Sequence, residues 1–120
     1  MQSWPPALES DRQIALASLA VARSLVSSPA GLGRAAAAFY DCQRLCLVAS
    51  SFRVAGGRWS RRLVALREQI KQAAETGLAY VDALRADPGN RAAAAGVVEM
   101  LAMIQFLLTA AGQGLPAGEF

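Results

Sequence analysis

The stretch Tyr80-Val81-Asp82-Ala83-Leu84-Arg85-Ala86-Asp87-Pro88-Gly89-Asn90-Arg91-Ala92 carries the sharpest punctuation in the chain. Proline and glycine close whatever helix precedes them, and an asparagine just before a run of alanines caps the next. Upstream, Leu63, Leu66, Ile70, Ala73, Gly77, Tyr80 and Leu84 hold a three-four spacing, the seam of a helix packed against antiparallel neighbours. Downstream, Val97, Met100, Leu101, Ile104, Leu107 and Leu108 fall on one side of a helix at ~100° per residue. The break therefore joins two long helices, expected over residues 60–86 and 91–111.

Working outward, Ala38, Cys42, Leu45, Ala49 and Phe52, with Phe39, Cys46 and Val48 beside them, predict a helix over residues 34–53, ended by Ala55-Gly56-Gly57. Before it, Ile14, Ala17, Val21 and Leu25 form one stripe, and Ala15, Leu19, Ala22 and Val26 the next, predicting a helix over residues 11–26. Ser27-Ser28-Pro29-Ala30-Gly31 separates the two. The N-terminal Trp4-Pro5-Pro6 segment reads as an arm whose tryptophan docks on the helices. Alanine is abundant, β-branched residues are sparse and no period-two alternation persists, so the fold class is all-α. Four helices with short connections predict an antiparallel four-helix bundle. The expected organisation is an arm (1–10), one domain (11–112) and a tail (113–120). One mismatch stands out: at ~1.5 Å per residue the third helix is about 40 Å long and the first about 24 Å. Either the third bends near Gly77, or its excess length packs on something else.

The Tyr80–Ala92 stretch, with Ala-Leu followed by Asp-Pro-x-Asn, resembles the helix-to-helix junction of tetratricopeptide repeats. The resemblance covers one junction, without the family's upstream packing pattern or its period of about 34 residues. Ser28-Pro29 followed by Phe39-Tyr40-Asp41 is similar to small flagellar export chaperones, with a different spacing. Both families are helical peptide-binding modules, so the resemblance implies binding rather than catalysis.

Composition points the same way. Of 120 residues, 54% are hydrophobic and 18% charged, which excludes a disordered chain and leaves more apolar surface than a small core hides. There is no histidine, so no Ser-His-Asp or Cys-His device can be built, and no glycine-rich phosphate loop follows a strand. Cys42 and Cys46 cannot complete a Cys/His zinc site alone and read as reduced core thiols. No enzyme activity, cofactor or metal is expected. With no apolar leader visible at Met1–Ser10, a cytoplasmic location is expected. Ala92–Ala111 is the strongest membrane candidate, but Glu99 and Gln105 interrupt it and favour a buried or interfacial helix. Asp41 and Arg44, three residues apart, are expected to form a surface ion pair.

Two surfaces are candidates for binding. The side of the last helix away from its core stripe carries Val98, Glu99, Ala102 and Phe106, a poor solvent face with one charge. This face is expected to make a homodimer or to bind a protein partner, unless Trp4 or another helix covers it. Charge supplies the alternative. Residues 12–71 carry ten basic and two acidic side chains, whereas residues 72–120 carry two and five. Arg53, Arg58, Arg61, Arg62, Arg67 and Lys71 crowd one loop and the start of the third helix, as a nucleic-acid or other anion site would. A small apolar ligand inside the bundle is a third possibility.

Overall fold

The computed structural model describes residues 4–25, 31–52 and 59–113. A 3-10 turn, Pro6–Leu8, leads into four helices: α1 (Glu9–Leu25), α2 (Gly31–Ser51), α3 (Arg61–Ala86) and α4 (Arg91–Gln113). Each helix packs on its neighbours in sequence and α1 closes the ring onto α4, while the diagonal α2 and α4 barely touch. The four-helix bundle is thus formed as the periodicity predicts. Phe39, Leu19, Leu63, Leu66, Ile70, Leu101, Ile104 and Leu108 fill its centre.

The ends obey local chemistry. Ser60 caps α3 by accepting a hydrogen bond from the Leu63 amide at 3.2 Å, and Asn90 caps α4 by accepting from Ala93 at 3.0 Å. Asp87 turns the chain between them, its carboxylate accepting from the Gly89 amide at 3.1 Å. Three boundaries fall outside the expected ranges. Helix α1 starts at Glu9 rather than Asp11. Helix α2 starts at Gly31 rather than Arg34, because the first-turn amides need no intrahelical acceptor and glycine there costs little. Helix α4 continues through Gly112 to Gln113. There the guanidinium of buried Arg12 occupies the space a side chain would need, and it donates to the Leu108 carbonyl at 2.8 Å.

Glycine has the same use at two further crossings. A methyl on Gly77 would come within 2.6 Å of Phe39 Cε2 and nearer still to Cζ, so the missing side chain is the socket for the Phe39 ring between α2 and α3. Gly96 receives the Tyr80 ring between α3 and α4 in the same way, its would-be methyl 2.6 Å from Cδ2. Helix α3 runs uninterrupted through Gly77 for 26 residues. Trp4 is buried, donates from Nε1 to the Leu8 carbonyl at 3.2 Å, and meets Trp59 edge-on at 5.6 Å between centroids.

Three side-chain expectations need correction. On α1 the core takes the Ala15–Leu19–Ala22 stripe, and Ile14 and Val21 are exposed, because the alanines let α1 approach its neighbours closely. Val48, about 100° round α2 from buried Ala49, is likewise exposed. Asp41 and Arg44 form no ion pair within 4.0 Å; the ion pairs among the described residues are Arg12–Glu9 and Arg85–Asp82. The expected end of the first helix at Val26, the glycine loop at 55–57 and the tail from 114 lie outside the described residues.

Candidate interaction surface

The capped start of α4 fixes its rotation, and the Tyr80–Gly96 and Arg12–Gly112 contacts hold one flank to α3 and the other to α1. With Leu101, Ile104 and Leu108 turned inward, Phe106 must point out, and it is 71% exposed. Val98 and Glu99 are exposed beside it and Ala102 is half-buried. The four residues predicted from the sequence therefore do share one outward face. Trp4 does not cover that face; it is committed to Trp59, at the junction of the arm with α3. Met103, also exposed, extends the patch towards α3. Its side was legible from the spacing, three residues from Phe106, but the sequence reading left it out. On the α1 flank Arg23 donates to the Gln105 side chain, placing one cation at the edge of a face whose own charge is Glu99.

A second apolar surface was missed. Ile14 and Val21 of α1 and Tyr40, Leu47 and Val48 of α2 are all exposed, Leu47 at 70%. The signal was present, since Tyr40 and Leu47 are seven residues apart and so share a face, but Ile14 and Val21 read as core. In contrast, α3 has no exposed large apolar side chain among the described residues.

Among the described residues the basic cluster does not gather on one face of α3. Arg53 and Arg58 lie outside the described residues. Arg61 and Lys71 are exposed and Arg62 is half-buried. Nine residues apart on α3, Arg62 and Lys71 project about 180° from each other at ~100° per residue. Arg67 is engaged internally. Its guanidinium carbon lies 5.1 Å from the Trp59 ring centroid, a cation–π contact, and Nη1 donates to the Ala49 carbonyl at 3.4 Å in the last turn of α2. Its Nε is buried without a hydrogen-bond partner.

Cys42 and Cys46 are both buried and unpaired with each other. Burial pushes the Cys42 thiol up to about 12, reinforced by Cys46 and Asp41, and pushes Cys46 up to about 11. Cys46 donates a long bond to the Arg67 carbonyl at 3.5 Å. Thiolate is the reactive form, so both thiols are expected to resist iodoacetamide at neutral pH and to react once the chain is unfolded in urea. Mass spectrometry after brief labelling checks this, and rapid native labelling of either cysteine would contradict the burial described.

Among the described residues no three potential metal ligands cluster. Helix α4 is long and apolar enough to cross a membrane, but its core stripe is packed within the bundle. The molecule thus belongs, by its architecture, with four-helix bundles carrying an uncovered apolar helix face. No protein-family model matches the chain, and no curated protein or solved structure matches it significantly.

Proposed function

We propose that this chain is a non-catalytic helical interaction module, an adaptor, small chaperone or structural subunit, that self-associates through the outward face of α4. The observation that carries the reading is Phe106, exposed at 71% within a helix whose only charge between Ala92 and Gln113 is Glu99. Burying a phenylalanine side chain stabilises by about 1.5–3 kcal/mol, and an apolar patch of this kind is characteristic of interfaces. Val98 and Ala102 flank the ring, so a partner can approach closely on one side of it.

Phe106→Asp is expected to leave the helical circular-dichroism signal unchanged, since the side chain supports nothing inside the bundle, while abolishing association. Light scattering at two salt concentrations reads the mass. A wild-type protein and a variant of equal mass would remove Phe106 from the interface.

Binding of nucleic acid through Arg61, Arg62 and Lys71 is the lesser reading, because Arg67 is occupied by Trp59 and Arg62 and Lys71 project to opposite sides of α3. Retention on heparin that falls steeply with salt would revive it. The two grooves described between helices open at the surface rather than inside the bundle, which gives little support to a small apolar ligand held in its core.

A further inference from the structure

The outward face of α4 has a counterpart on the same molecule. Between α1 and α2 runs a groove of about 180 Å³, walled by Ile14, Leu45 and Val48 and rimmed by Asp11, Asp41 and Arg44. An apolar cavity of about 150 Å³ holds a benzene molecule, so the groove has room for one aromatic ring. Because α2 sits diagonally across the bundle from α4, groove and face do not overlap, and one molecule can present both at once.

The charges around the two surfaces match in sign. Phe106 has Glu99 two turns away on its own face and Arg23 at its flank, held by Gln105. The groove offers Arg44 together with two carboxylates, Asp41 on α2 and Asp11 on α1. Asp11, Asp41, Arg44 and Glu99 make no ion pair or hydrogen bond among the described residues, so all four can meet charges of a second copy. A Phe106 ring in the groove offers Glu99 to Arg44 and Arg23 to the carboxylates. Such pairs fix register and exclude wrong partners more than they add affinity. The alternative of α4 faces pairing with each other leaves the groove uncovered.

We infer that the chain assembles head to tail, Phe106 of one copy seated in the Ile14–Leu45–Val48 groove of the next. This rests on the α4 reading above and adds the identity of the surface that receives it. Contacts of this heterologous kind close into a ring or continue as a filament, so the assembly is not limited to a dimer.

Two variants test it, each at an exposed position so that the fold survives: Phe106→Asp removes the ring and Ile14→Glu blocks the groove. The wild type is expected to form species larger than a dimer across a dilution series in light scattering. Each variant alone is expected to be monomeric. An equimolar mixture is expected to form a dimer, because the intact ring of the Ile14→Glu chain meets the intact groove of the Phe106→Asp chain, and growth stops there. If Ile14→Glu associates as the wild type does while Phe106→Asp does not, the head-to-tail inference is overturned and the α4 reading stands. If both variants are monomeric and the mixture is too, the groove is not the receptor of Phe106. A wild type that is monomeric at every concentration overturns both readings.

Discussion

Replacing Gly77 with alanine is expected to destabilise the bundle by about 1–2 kcal/mol, although alanine is the better helix former by about 1 kcal/mol. The reason is the Phe39 ring, fully buried and lying flat against the glycine, with no room to retreat among the core side chains. Valine, which adds two more methyl groups, is expected to cost about 3 kcal/mol. Phe39→Ala is expected to cost about 3–5 kcal/mol by loss of contacts and the cavity left behind. The decisive measurement is the double variant. Once Phe39 is alanine the ring that opposes a methyl at residue 77 is gone, so Gly77→Ala should then stabilise by about 1 kcal/mol, giving a coupling of roughly 2–3 kcal/mol. Gly33 serves as the control, since a methyl there meets nothing within 4 Å and Gly33→Ala should be neutral or stabilising. Urea midpoints at constant slope read all of these. Stabilisation by Gly77→Ala in the wild-type background would show that the close crossing of α2 and α3 is wrong.

Arg12→Met is expected to cost about 2–3 kcal/mol, the second large effect. Arg12 is the one charged side chain buried among the described residues. It donates from Nε to Glu9 Oε2 at 2.8 Å, pairs Nη2 with the other Glu9 oxygen, and sends Nη1 to the Leu108 carbonyl. Methionine keeps much of the packed stem but removes the guanidinium's bonds to Glu9 and to the Leu108 carbonyl from a buried site. Gly112→Ala is expected to cost less, about 1 kcal/mol, because the atoms it displaces are the end of a long side chain. The same clamp predicts a pH dependence. The bonds from Arg12, then that from Gln13, hold the Glu9 carboxyl at about 2 against an ordinary 4.5. A lowered carboxyl stabilises the folded state fully above the unfolded value of 4.5, and that contribution is lost as pH falls towards about 2. Glu9 is substantially exposed, so solvent screens the effect. Urea midpoints measured between pH 5 and pH 2, the window of those two values, should fall less steeply for Glu9→Gln than for the wild type. Equal slopes would mean that Glu9 does not titrate against Arg12.

Much of this architecture is determined by the sequence alone. Helix periodicity, Asp87-Pro88-Gly89-Asn90 and the capping residues act over one or two turns, and those local preferences suffice to place four helices and the outward side of α4. Val98, Glu99, Ala102 and Phe106 were legible because a helix with one fully apolar stripe has only one way to turn. What only the tertiary structure decided are the matters that depend on which neighbour lies across a crossing. A heptad stripe says that two helices pack, not which of two adjoining stripes is buried, so Ile14 and Val21 came out exposed and opened the groove on α1 and α2. Glycine in a helix reads locally as a weakness, and Phe39, Tyr80 and Arg12 show what fills the space at Gly77, Gly96 and Gly112. Arginine likewise reads as surface charge until its partners are seen. Arg67 stacks on Trp59 and Arg12 is buried against a carbonyl 96 residues away, and nothing in the spacing of the chain brings those groups together.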